Sequence, residues 1–213
     1  SGKINAKVNG RVISKFKTKT YLSIFFTMMF TQFLAQKQLD VGIFYASTVK
    51  HLLVSNDIGK YSITINDKTD TLPSTFNLKI LKSGYKISVK LNDTDLGETS
   101  KIEIKKLNLD HSLKLKSLTH NSKTRKYWGD FTIKSNGKKL IIINTTELPQ
   151  YIEGVVESES GGSQGIEYYK IQATISRTYA LSHMDRHEDE GYNLCDHVHC
   201  QVYHSRSLRN ELI

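Results

Sequence analysis

Residues 75–93 read TFNLKILKSGYKISVKLND, and this stretch decides the fold class of the first half of the chain. Apolar and polar residues alternate on both sides of Ser83-Gly84. Because successive side chains of a β-strand point to opposite faces, the alternation predicts two strands, each with one buried face and one lysine-bearing face. The glycine marks the turn between them.

Further alternating runs predict that residues 37–144 form a strand-rich scaffold. They are KYSITIND at 60–67, SKIEIKKL at 100–107 and SLKLKSL at 112–118. The stretch GDFTIKSNGKKLIIIN at 129–144 places Asn136-Gly137 between two strand-like runs, which predicts a hairpin because both residue types tolerate a positive φ. Nothing in this half suggests catalysis, so its expected role is that of a scaffold or a binding platform.

After residue 144 the period changes from that of strands to that of helices. Thr146 is the candidate cap of a first helix that continues to about Ser158, and the segment 161–163 (Gly-Gly-Ser) would end it. A second helix is predicted from about Gln164 to Met184. It is expected to have a core-like side with Tyr168, Ile171, Ile175 and Tyr179, and another side with Lys170, Ala173, Arg177 and Ala180. The prediction is an α+β fold in which residues 145–213 continue the strand-rich part as one domain.

Residues 1–36 have the features of a secretory signal peptide. Arg11 and three lysines precede the apolar run YLSIFFTMMFTQFL at 21–34, and Ala35 follows it. The run is shorter than the roughly 20 residues that a membrane span needs. A buried core helix is the alternative interpretation. If the segment is a signal peptide, the mature protein begins near Lys37 and acts outside the cytoplasm, in the periplasm, the cell wall or the medium, and not as an integral membrane protein.

Length and charge set wide bounds on function. The 213 residues, of which 38% are hydrophobic, suit one domain with at most a small appendage. The net charge of +9 favours an anionic partner, either nucleic acid or an anionic polymer of the cell envelope. The lysines are scattered through the strands instead of being gathered in one block, and an exported protein seldom meets DNA. No nucleic acid is therefore expected as a partner.

The end of the chain is rich in histidine and cysteine. His187, Cys195, His199 and Cys200 lie within fourteen residues and could form a tetrahedral zinc site of the Cys₂His₂ type, with His183 and His197 as substitutes. A disulfide between the two cysteines, or free thiols with exposed histidines, are the alternatives. A zinc ion ligated only by protein would be structural and would hold the loop that follows it.

Three blocks of the second half resemble the signature blocks of the SpoIID/LytB family. They are YIEGVVESE at 151–159, KIQATISRTYAL at 170–181 and YNLCDHVHCQVY at 192–203, in the order of the family and at its spacing. The resemblance implies work on peptidoglycan in a bacterial envelope. Some members of the family are sporulation proteins that cleave glycan strands. Others were named as enhancers of a cell-wall amidase.

The resemblance also implies roles for individual residues. Glu159 falls on the catalytic acid of the family. The remaining matches to the blocks are candidate substrate-binding residues, namely Lys170, Gln172, Arg177, Tyr179, Gln201 and Tyr203. Ser160 and Ile171 depart from the family pattern, but neither change removes a reacting group. The family continues well past the third block, so part of the cleft is expected to be missing from this chain.

A single glutamate suits one kind of glycan cleavage. Ordinary glycosidases need two carboxylates, and Glu157 lies on a different helix face from Glu159. A lytic transglycosylase needs only one, because the 6-hydroxyl of the sugar attacks the anomeric carbon and closes a 1,6-anhydro ring. Such an acid must hold a proton near neutral pH, and burial would favour this. Lys170 or Arg177 would then orient the substrate without touching the acid. The alternative function is a non-catalytic glycan-binding module that recruits an amidase.

Overall fold

The computed structural model describes residues 37–108, 111–120, 122–161 and 163–206, so the predicted signal peptide lies outside the described residues. The strands, in chain order, are β1 Gln38–Ile43, β2 His51–Ile58, β3 Tyr61–Ile65, β4 Lys68–Thr71, β5 Asn77–Ser83, β6 Lys86–Leu91, β7 Thr94–Thr99, β8 Lys101–Lys106, β9 Ser112–Ser117, β10 Arg125–Trp128, β11 Asp130–Ser135, β12 Leu140–Glu147 and β13 Leu194–Cys195. The helices are α1 Leu148–Ser160 and α2 Ile166–Ser182, and a 3₁₀ turn covers Glu188–Glu190. The predicted α+β class is confirmed.

The strands form two sheets. One has the order β13-β1-β12-β11-β8-β3-β4, and the other has the order β10-β9-β2-β5-β6-β7. Neighbouring strands pair antiparallel except β1 and β13, which pair parallel. The apolar residues of the alternating runs line the core that both sheets share; Leu78, Ile80, Ile87 and Val89 are fully buried there, whereas the lysines between them face outward.

Both predicted hairpins are present. Ser83 pairs with Lys86 across a tight turn in which Gly84 has a φ of 59°. In the second hairpin the loop is longer, and only Gly137 of the Asn-Gly pair takes a positive φ. The side chain of Asn136 instead accepts hydrogen bonds from the backbone N–H groups of Lys138 and Lys139, at 3.0 and 2.9 Å. This closes the loop by an Asx turn.

The change from strand to helix comes later than predicted. Strand β12 continues to Glu147, and α1 begins directly after it at Leu148, with Glu147 in the capping position. Thr146 is therefore a strand residue and not the helix cap. Pro149 lies in the first turn of α1, where its missing N–H costs no hydrogen bond. None of the described helices is long and apolar enough to cross a membrane.

Helix α2 packs through a different side from the predicted one. Its buried residues are Tyr169, Ser176 and Ala180. The supposed core residues Tyr168, Ile171 and Ile175 are 46%, 61% and 58% exposed. The buried face thus consists of one aromatic and two small residues, and the apolar stripe lies outside it. The prediction of a core-like side was wrong.

A buried carboxylate ties the second sheet to the segment after the helices. Asp57 lies at the end of β2 and accepts hydrogen bonds from Ser112 Oγ at 2.8 Å and Arg206 at 3.1 Å. Lys126 and Lys114 lie 3.1 and 3.2 Å from its other oxygen. Burial opposes ionisation, but these donors together hold the pKa of Asp57 well below its usual value.

Candidate functional site

Glu159 is the point at which the three sequence blocks meet. It lies in the last turn of α1 and its side chain is exposed. Its Oε2 accepts a hydrogen bond from Nε2 of Gln172 on α2, at 2.8 Å. Its Oε1 accepts one from the backbone N–H of Val202, at 3.1 Å. One carboxyl group thus contacts the second and the third block at once.

The exposure of Glu159 differs from the burial expected for a catalytic acid. The carboxyl group in α1 whose pKa is raised by burial is that of Glu153, six positions earlier. Glu157, the nearest acidic residue in sequence, is partly buried.

Of the candidate residues on α2, only Gln172 is seen to contact Glu159. Lys170 is exposed and pairs with Glu167 on its own helix, at 2.8 Å. Arg177 is exposed on the same helix. The hydroxyl of Tyr179 accepts a hydrogen bond from Arg186 at 3.0 Å, and its ring stacks on His183 with centroids 4.1 Å apart. The structure thus places Lys170 and Arg177 at the surface and Tyr179 toward the histidine-rich loop.

Gln201 and Tyr203 point into the protein. Tyr203 is fully buried, and its hydroxyl donates to Asn144 Oδ1 at 3.2 Å. Gln201 is 6% exposed and accepts from the hydroxyl of Tyr151 at 3.3 Å. These contacts anchor the segment on both sides of Val202. In this structure the two side chains support the site from inside, and Tyr203 has no surface with which to touch a substrate.

Gly154 lets this segment approach α1. A Cβ atom built there would lie 2.5 Å from Tyr203 Cε2 and 2.5 Å from the backbone oxygen of Ser205. Since ordinary contacts begin near 3.4 Å, a larger residue would push the third block away from the helix. The glycine of the first block therefore sets the distance between Glu159 and the backbone that contacts it.

The structure brings together the four predicted metal ligands. One ligand atom from each of His187, Cys195, His199 and Cys200 lies within 4.8 Å of the others, and all but His199 are buried. His199 Nδ1 is 3.9 Å from each sulfur. The cysteines are free, so the alternative disulfide is not formed. His183 lies outside this group, stacked on Tyr179.

The donor set suits a metal ion. Nδ1 of His187 lies 2.6 Å from Glu190, and the hydroxyl of Tyr192 donates to the other oxygen of that carboxylate at 2.7 Å. The opposite nitrogen of His187, Nε2, is buried without a hydrogen-bond partner. A neutral histidine that donates a hydrogen bond from its Nδ1–H to a carboxylate has a lone pair on Nε2. Metal-bound histidines have this arrangement.

The two thiols are also prepared for a cation. The interaction between the two sulfurs lowers the pKa of Cys200, although burial opposes this. The same interaction, together with burial, raises the pKa of Cys195. A lowered pKa favours the thiolate, which is the form in which cysteine binds zinc.

Residues of the strand-rich half complete this cluster, and the sequence analysis missed them. Asp196 accepts hydrogen bonds from the backbone N–H groups of Phe44 and Tyr45, at 2.7 and 3.0 Å, and from Arg125 at 2.8 Å. The ring of Tyr45 then stacks on His199, with centroids 6.0 Å apart. No local pattern signals these contacts, because the partners are about 70 to 150 positions apart.

The comparison with protein families agrees with the three blocks. Residues 136–212 match the family model of SpoIID, stage II sporulation protein. The matched segment includes β12, both helices and the Cys/His loop. No curated protein and no solved structure matches the chain. The resemblance to the SpoIID/LytB family is therefore confirmed for this segment, and it indicates a role related to the cell wall.

Proposed function

Because residues 136–212 match the SpoIID family, we propose that the protein is a peptidoglycan lytic transglycosylase with Glu159 as its general acid and base. The observation that carries the proposal is the meeting of all three blocks at this one exposed carboxyl group. Its partners are an amide and a backbone N–H, neither of which can act as a nucleophile or a base. The chemistry at this point is thus that of a single carboxyl group.

The proposed reaction needs only that group. Protonated Glu159 gives its proton to the glycosidic oxygen while the bond from that oxygen to the anomeric carbon breaks. The resulting carboxylate takes the proton of the 6-hydroxyl while the hydroxyl oxygen bonds to the anomeric carbon. The products are a free hydroxyl end and a 1,6-anhydro end, and Glu159 is protonated again. No water is consumed.

The surface around Glu159 supports an anionic glycan as substrate. The protein carries a net charge of +9, and α2, the helix that supplies Gln172, exposes Lys170 and Arg177 to solvent. Muramic acid units bear carboxyl groups, which such cations attract and orient. Export by the N-terminal segment, which the sequence predicts, would bring the protein to this substrate.

We further propose that the cluster of His187, Cys195, His199 and Cys200 holds a structural zinc ion. All four ligands come from protein, which is the rule for structural zinc. The loop from Cys195 leads directly into Gln201 and the Val202 N–H that contacts Glu159. The ion would therefore stabilise the third block in its place, and the cleavage chemistry does not pass through it.

One observation favours the alternative function, a module that recruits a cell-wall amidase. Helix α2 exposes Tyr168, Ile171 and Ile175 as an apolar stripe, and such stripes on a helix commonly contact another protein. The two functions make different demands on Glu159. Only cleavage requires its carboxyl group to transfer protons.

Mass spectrometry of peptidoglycan digests tests the proposal. The complete protein and its Glu159→Gln variant are incubated with intact and with amidase-treated peptidoglycan. We expect the wild type to release fragments lighter by one water than hydrolytic products, and the variant to release none. Glu157→Gln, the same change on the same helix, is the matched control and should remain active. Glycan binding without cleavage by the wild type would favour the recruiting module.

A further inference from the structure

The two oxygens of Glu159 have partners of different kinds. Oε1 faces the backbone N–H of Val202, which can only donate a hydrogen bond. This N–H cannot turn away, because the flanking residues Gln201 and Tyr203 are anchored in the interior. A proton on Oε1 would leave this N–H with a hydroxyl oxygen as its acceptor, which is weaker than a carbonyl or carboxylate oxygen. The Val202 N–H therefore favours Oε1 as the unprotonated oxygen in both states of the carboxyl group.

Oε2 faces a partner that can reverse its role. The side-chain amide of Gln172 now donates from Nε2 at 2.8 Å, as a carboxylate requires. A half-turn of the amide would present its carbonyl oxygen, which accepts a hydrogen bond from a protonated carboxyl group. The terminal torsion of glutamine is broad, so this turn costs little. We infer that Gln172 is a positioning residue that keeps the transferable proton of Glu159 on Oε2 and accommodates both protonation states by turning its amide.

The inference rests on the proposed function, because that reaction passes through both states. A lysine or arginine in this place could only donate and would favour the carboxylate throughout the cycle. A carboxyl group could share a proton and would favour the protonated form. Glutamine is neutral and can either donate or accept a hydrogen bond. It can therefore stabilise both the carboxylate and the protonated carboxyl group of Glu159. Oε2 also has a second proton position on the solvent side, so rotation about the C–O bond can turn the proton from Gln172 toward the glycosidic oxygen.

The elements that meet at this contact carry other ionisable groups. They are Tyr151 and Glu157 on α1, Lys170 and Arg177 on α2, and His204 after Val202. Burial is the main cause of the raised pKa of Tyr151, and the charge of Glu159 makes a smaller contribution. All five remain in place in variants at position 172. Differences among those variants therefore report the local contact to Oε2.

The test combines three variants of the complete protein, Gln172→Lys, Gln172→Glu and Gln172→Met, with two measurements. One is the NMR titration of Glu159 labelled with ¹³C in its carboxyl group, and the other is the dependence of cleavage rate on pH. We expect Gln172→Lys to move the titration midpoint and the alkaline limit of activity to lower pH by about one unit. Gln172→Glu should move both to higher pH by a similar amount. Gln172→Met should lower the rate about tenfold or more, because Oε2 of Glu159 then has no hydrogen-bond partner at position 172 in either protonation state.

Thr178→Ala on the same helix is the control, because within the described part of the chain its hydroxyl donates a hydrogen bond to the backbone oxygen of Thr174 and to no other group. It should change neither measurement. Shifts of the lysine and glutamate variants in the same direction, or equal losses of rate with an unchanged pH profile, would overturn the inference. Opposite NMR shifts in a protein that cleaves no peptidoglycan would refute the proposed activity and leave the role of Gln172 standing.

Discussion

Replacing Gly154 by alanine should loosen the site from inside. The added Cβ would lie 2.5 Å from Tyr203 Cε2 and from the oxygen of Ser205, about 0.9 Å short of the 3.4 Å at which ordinary contact begins. One neighbour is backbone, so the segment that carries Val202 must move by a comparable distance. Overpacking of this kind costs about 1–3 kcal/mol, and the better helix propensity of alanine returns about 1 kcal/mol at most.

With the full return from helix propensity, the net loss for Gly154→Ala should be about 0–2 kcal/mol in the free energy of unfolding. Denaturant titration followed by circular dichroism measures it. Because the Val202 N–H would leave its position near Glu159, the cleavage rate should fall about tenfold or more. Gly165→Ala is the control, since a Cβ there meets no atom within 4 Å, and its cleavage rate should equal that of the wild type. A Gly154→Ala protein with wild-type stability and wild-type cleavage would show that the site does not depend on this close approach.

Three further predictions concern other parts of the fold. His187→Ala should lose bound zinc in elemental analysis, whereas His183→Ala, outside the cluster, should keep it. Asp57→Asn should lose about 2 kcal/mol of stability at neutral pH, because it leaves several cations without their buried counter-charge. The lowered pKa of Asp57 also means that the wild type is stabilised above about pH 4 and loses this stability as the pH falls, a dependence that the variant should lack. Replacing both Ile171 and Ile175 by serine should change stability by only about 0.5 kcal/mol, because both side chains are exposed.

Each of the predictions for the histidine, Asp57 and isoleucine variants has an outcome that would contradict it. Equal zinc in both histidine variants would place the ion elsewhere. Parallel loss of stability with acid in Asp57→Asn and the wild type would assign the pH dependence to other carboxyl groups. A loss of several kcal/mol in the doubly substituted helix would mean that the apolar stripe is buried, as its periodicity alone suggested.

The strand-rich half follows closely from its sequence. Alternation of apolar and polar residues predicts which side chains face the core, and glycines predict the turns, because both are local properties of an extended backbone. For helix α2, periodicity alone did not predict the buried face. Its period reveals an apolar stripe, but the side on which the helix packs depends on its neighbour. The helix buries Ser176 and Ala180 and leaves the bulky stripe exposed.

Some features of the candidate site could likewise be predicted from the sequence, and others could not. The residue types and spacing of the Cys/His segment were sufficient to select the four ligands that the fold brings together, since they lie within fourteen residues of one another. Glu159 and Gln172 were found through the resemblance of their blocks. The tertiary structure alone revealed the Val202 N–H on Oε1, because any residue type supplies a backbone N–H and sequence cannot mark it.

The sequence by itself thus determined the α+β class, the hairpins, the metal-type cluster and the blocks on which the family resemblance rests. The tertiary structure decided which face of α2 is buried, that Gln201 and Tyr203 point inward, and that Asp196 places Tyr45 against His199. The physical reason is distance along the chain. Periodicity and spacing report interactions between neighbours in sequence, whereas contacts between distant segments depend on how close packing brings those segments together.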